Sequence, residues 1–159
     1  MSFLTRWMGG CAVKGCVWFV VAVLLFLVSG CKKEPVNGSI EGHWQLLEFT
    51  ILESGEVVPC ERLFYGITHK VTKVCEKQGT HGYRECSALT EYRDHESVLV
   101  LKDFKVFDAE AKVAVDATVE QLLPFGIDNP KETVFRVVES SHKNMVLESD
   151  YARVVLRRF

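Results

Sequence analysis

The chain has 159 residues, enough for one domain with a real hydrophobic core but too few for two ordinary domains once an export segment is removed. Its formal charge of −2 provides no basic field for nucleic acid and disfavours a phosphate-rich partner.

The first 30 residues read as an export signal. Arg6 and Lys14 form a positive flank, Val17 to Val28 is uninterruptedly apolar, and Ser29 and Gly30 supply small side chains for cleavage. The run falls short of the roughly 20 apolar residues that a spanning helix needs. Val28-Ser29-Gly30-Cys31 resembles the lipobox of bacterial lipoproteins. That resemblance implies cleavage before Cys31, lipid on its sulfur, and attachment to the membrane through acyl chains. By likeness to lipoprotein sorting, Lys32 after the cysteine implies the outer membrane, facing either periplasm or exterior. Removal of residues 1–30 takes away two of the 19 basic residues and none of the 21 acidic ones, leaving 129 residues with a net charge of −4. Residues 31–39 are polar, with Pro35, Asn37 and Gly38, and read as a lipidated tether.

From residue 40 to 159 the chain alternates apolar and polar residues over short stretches separated by turns, the pattern of antiparallel sheet. Strands are expected over His43 to Leu52, Leu63 to Glu76, Tyr83 to Tyr92, Val98 to Phe107, Lys112 to Val115, Thr133 to Val138, Met145 to Glu148 and Arg153 to Phe159. Turn-rich gaps such as Gly79-Thr80-His81-Gly82 and Asp94-His95-Glu96-Ser97 suit hairpins. One interruption, Asp116 to Leu123, reads as a short helix capped by Asp116 and stopped by Pro124 and Gly126. Closing so many short strands into a barrel removes the exposed edges of an open sheet. The expected fold is therefore all-β: an antiparallel barrel of about eight strands with one short helix. Phe49, Phe64, Tyr65, Tyr92, Phe104, Phe107 and Phe135 are available to fill it.

Cys60, Cys75 and Cys86 remain after signal removal and lipidation. A hairpin turning between Cys75 and Cys86 would set them on facing strands, where a disulfide forms if their Cβ atoms come within about 4.5 Å. Cys60 paired with either one, or three free thiols, are the alternatives. His69, Cys75, His81 and Cys86 are the only cluster of soft ligands, but no spacing among them matches a zinc motif. There is no nucleophile elbow, phosphate loop or dinucleotide fingerprint. Glu91 with Asp94, and Asp108 with Glu110, flank turns as solvated acids. No catalytic residue, cofactor or metal is expected.

Gly42-His43-Trp44 resembles the Gly-x-Trp opening of lipocalins and lipocalin-like proteins. Phe125-Gly126-Ile127, Phe135 to Val138, Asn144 to Ser149 and Val154 to Arg158 are similar to the C-terminal pattern of lipocalin-like lipoproteins of Bacteroidetes. The resemblance implies that Trp44 plugs one end of the barrel beneath an arginine of the last strand, Arg157 or Arg153, with Gly42 beside it. It also implies a binding role: a small hydrophobic ligand held in the barrel, or an envelope protein held on its loops. The alternative is a solid barrel with a purely structural or interaction role.

Overall fold

The computed structural model describes residues 39–110 and 112–159. The expected signal segment, Cys31 and all of the tether except Ser39 lie outside the described residues. Nine strands and one helix follow in order: β1 (Gly42–Ile51), β2 (Val57–Ile67), β3 (Val71–Glu76), β4 (Cys86–Arg93), β5 (Val98–Asp108), β6 (Val113–Asp116), α1 (Val119–Leu122), β7 (Glu132–Ser140), β8 (Asn144–Glu148) and β9 (Ala152–Arg158). A single 3-10 turn, Leu123–Phe125, continues α1. No described helix is long and apolar enough to cross a membrane.

Eight of the strands close on themselves. Each pairs antiparallel with its neighbour in the order β1-β2-β3-β4-β5-β7-β8-β9, and β9 returns to β1. β6 stands outside this circle, paired only with the last four residues of β5. β7 takes the first half of the same β5 edge. The handover occurs at Asp103, in the left-handed region at φ 53°, where Asp103 and Phe104 N–H donate to the carbonyls of Lys131 and Pro130. The eight-stranded barrel and the short helix are as the sequence implies; the expected strand over Lys112 to Val115 is β6, which stands outside the barrel and keeps one edge unpaired among the described residues.

Three local readings change. The expected strand Leu63 to Glu76 is two strands, because Thr68 turns the chain: its hydroxyl donates to the Val71 carbonyl and accepts from the Val71 N–H. β2 begins earlier, at Val57, running through Pro59 where a bulge in β1 between Leu46 and Glu48 shifts the register. α1 is capped by Thr118, whose N–H donates to Gln121 Oε1 at 2.9 Å. Asp116 instead ends β6 and pairs with Lys105 and Lys131.

Candidate functional site

Strand β1 brings Trp44 inward at one end, and the register decides what covers it. Trp44 pairs with Arg158 across β1–β9, while Arg157 pairs with Gln45 on the outer face. The guanidinium over the indole is therefore that of Arg158, 5.0 Å from the ring centroid. Arg157 and Arg153 do not fill that role: Arg157 bonds Gln45 at 2.7 Å and Arg153 pairs with Glu148, both on the outside. The reason is strand parity, since alternate residues of a strand face opposite sides. Val154, Leu156 and Arg158 share the inward face.

Gly42 lies beside this arrangement. It sits at φ 147°, and a Cβ there would lie 2.7 Å from Arg158 Nη2, so any other side chain would push the guanidinium off the indole. Arg158 also donates to the Glu41 carbonyl at 2.8 Å, and Trp44 Nε1 donates to the Ile40 carbonyl at 2.7 Å. The entering chain, the indole and the last strand are thus tied together. Ser140 Oγ donates to the Ser39 carbonyl, so the chain enters beside the β7–β8 turn.

Above Trp44 the interior is occupied. Leu46, Tyr65, Ile67, Val74, Cys86, Leu99, Leu101, Phe104, Phe135, Met145, Leu147, Val154 and Leu156 all point inward and none is more than 2% exposed. A void of a few hundred cubic ångströms, the size of a ligand pocket, would leave its walls open to water-sized contact. These walls are closed on each other.

The far end is covered by the segment after β6. Leu122, Phe125 and Ile127 are wholly buried, and Tyr65, reaching up from β2, donates its hydroxyl to the Phe125 carbonyl. Burial pushes the Tyr65 phenol far above its usual range, with the nearby Cys60 thiol adding to the effect, so it remains a donor. Gly126 follows at φ 74°, where an added Cβ would lie 3.2 Å from side-chain atoms of Phe49 and Val154. The sequence pattern places this segment as an irregular crossing. It does not signal that Phe125 is a second plug.

A profile of the lipocalin-like domain family matches residues 25–159 of this chain. The chain belongs to the lipocalin-like domain family. Two solved structures share the fold. A lipocalin-like protein from Bacteroides uniformis has 16% identity and a TM-score of 0.57, covering 77% of this chain and 100% of that one. An uncharacterized protein from Bacteroides eggerthii has 21% identity and a TM-score of 0.55, covering 75% of this chain and 98% of its own. No curated protein matches.

Among the described residues of this lipocalin-like domain the cysteines do not pair. Cys86 faces Val74 across β3–β4 and is buried inside the barrel, so Cys75, one residue on, faces outward beside Phe64. The expected Cys75–Cys86 bridge is therefore corrected by a one-residue offset, which sends the two thiols to opposite faces. All three thiols are free. Burial raises each of them, that of Cys60 to about 11 with help from Glu48, which keeps them protonated and poor nucleophiles.

His69, Cys75, His81 and Cys86 do not converge, and no group of three metal-ligating side chains gathers among the described residues. His69 lies in the β2–β3 turn at the Trp44 end, whereas His81 is in the β3–β4 turn at the other. The Glu76 carboxylate accepts from His81 Nδ1 and from the backbone N–H groups of His81 and Tyr83. Burial works to raise its pKa, and these hydrogen bonds outweigh it and hold the carboxyl below its usual range. Glu91 is held down to about 2 by hydrogen bonds from Arg93 and Lys102. Such acids serve as ion-pair partners.

Exposed large apolar side chains occur on the outer wall (Leu89, Val134, Val138), at the Trp44 end (Phe159) and around the far rim: Leu52 and Val57 at the β1–β2 turn, Tyr83 before β4, Phe107, Val113 and Val115 on the β5–β6 hairpin, and Val119 on α1. The sequence offered no means of separating these from core positions.

Proposed function

We propose that this protein is a lipid-anchored envelope lipoprotein that acts through the outer surface of a filled barrel, as an interaction module, and holds no small molecule inside. The observation that carries the reading is the occupied interior, closed by Trp44 under Arg158 at one end and by Phe125 at the other. A fold alone does not specify a ligand, and here an apolar guest must displace a packed core. We assign no catalytic role, because the acids cited above are engaged as ion-pair partners and the thiols are held protonated.

Native mass spectrometry of the purified protein tests the filled barrel. The expected spectrum contains the mass of the lipidated chain and no stoichiometric small molecule. A co-purifying apolar mass, lost on Phe125 substitution, would establish the ligand-binding reading instead.

The anchor rests on the apolar run, on Val28-Ser29-Gly30-Cys31, and on Lys32 as an outer-membrane signal. Several acyl chains on one residue contribute about 0.8 kcal/mol per buried methylene, which makes attachment stable. Cys31→Ser should move the protein from the membrane fraction to soluble or unprocessed material on fractionation. Unchanged membrane retention would remove lipidation from the account.

A further inference from the structure

We infer that the free edge of β6 pairs two copies of this chain, antiparallel and centred on Ala114. This deepens the surface-acting role proposed above by naming the partner. β6 is the last strand in the sheet order, and among the described residues no strand pairs with its outer edge. The ladder shows which groups that edge presents. Ala117 N–H donates to the Phe104 carbonyl, and Phe104 and Ala117 continue the register in which Val106 faces Val115 and Asp108 faces Val113. Val113, Val115 and Ala117 therefore direct their amides toward β5, and Ala114 and Asp116 direct theirs outward.

A two-fold axis at Ala114 satisfies this parity. Ala114 bonds to Ala114 of the second copy, and Val113 stands opposite Val115 of the second copy in the intervening non-hydrogen-bonded pair. Both faces gain. Val113 and Val115, at 51% and 38% exposure, cover each other across the axis on one face. On the other, Phe107 lies beside Ala114 and is 60% exposed. Two alanines side by side leave a shallow floor over which the two Phe107 rings lean.

Charge agrees with this orientation. The hairpin tip carries Asp108, Glu110 and Lys112, in which acids outnumber the base. The other end of β6 carries Lys105 and Lys131 against Asp116 and Asp103, a balanced set. With the axis at Ala114, antiparallel pairing sets Lys112 of each copy opposite Asp116 of the other. A parallel arrangement in register would set Asp116 against Asp116.

The contact is small beside the roughly 1,000 Å² of a stable soluble interface, and copies confined to one membrane meet at a raised effective concentration. The test is therefore made on the full chain in membranes. Antiparallel hydrogen-bonded partners have Cα atoms about 5.5 Å apart, within the roughly 4.4–6.8 Å range of disulfides. Under a mild oxidant, Ala114→Cys should give a covalent dimer at least about ten times more abundant than the unsubstituted chain or Leu89→Cys on the outer wall of β4, by the factor of ten per about 1.4 kcal/mol of preference. Adding Val113→Asp should suppress it, and adding Val115→Lys to that variant should restore it, because these positions face each other across the axis. A dimer yield no higher than that of Leu89→Cys, or one indifferent to Val113→Asp, overturns the pairing. A crosslinked product of another mass also overturns self-pairing, but leaves the surface-acting role standing. A co-purifying apolar ligand would overturn that role without altering the crosslink.

Discussion

Replacing Trp44 with alanine should lower the unfolding free energy by about 3–5 kcal/mol, the cost of truncating a buried large aromatic, measured by chemical denaturation. The indole is fully buried, so its removal opens a void that the surrounding strands cannot close without breaking the β1–β9 register. Two further losses belong to this site. The Ile40 carbonyl loses its donor, and Arg158 loses a cation–π contact of about 0.5–2 kcal/mol. Trp44→Phe separates the contributions, because it retains most of the area and removes the hydrogen bond. A loss below about 1 kcal/mol for the alanine variant would mean that this end of the barrel is not packed as described.

Phe125→Ala should destabilise the domain by a similar amount, about 3–5 kcal/mol, and should also create a binding property. The ring is fully buried among side chains of the barrel mouth. Its removal leaves an apolar hole of the kind that stays dry and accepts a benzene-sized molecule. The variant should therefore gain thermal stability on addition of benzene, and the unsubstituted protein should show no shift. An equal shift in both would reveal an interior cavity and defeat the filled-barrel reading. Tyr65 supplies an internal control, since its hydroxyl bonds the Phe125 backbone and this bond survives side-chain truncation.

The fold was legible because its signal is redundant: strand after strand carries inward apolar residues at alternate positions, and the turns between them are short and polar. What was illegible depended on single-residue registers. Val154-Val155-Leu156 is apolar on both faces, so nothing in the sequence says whether Arg157 or Arg158 continues the inward row. Cys75 and Cys86 lie on facing strands as expected, yet an offset of one residue separates their side chains. β2 reaches back through Pro59 beside a bulge in β1, and no alternation in the sequence marks that extension. Phe125 follows Pro124 in a segment with no periodicity, and its burial comes only from the way the crossing folds back over the barrel. Aromatic residues expected inside divided for the same reason. Phe49, Tyr65, Phe104 and Phe135 are core. Phe64 packs outside against Phe159 and under Lys77, and Phe107 faces solvent.

Closure of the barrel joins β1 to β9, the first strand to the last. Synthesis proceeds from the amino end, so β1 is complete long before its second neighbour exists, and its unsatisfied edge is a hazard for aggregation until Ala152 to Arg158 arrives. The seven residues of β9 therefore act as the clasp of the whole assembly. A chain shortened by that strand would retain nearly all of its apolar residues and have no way to shut them in.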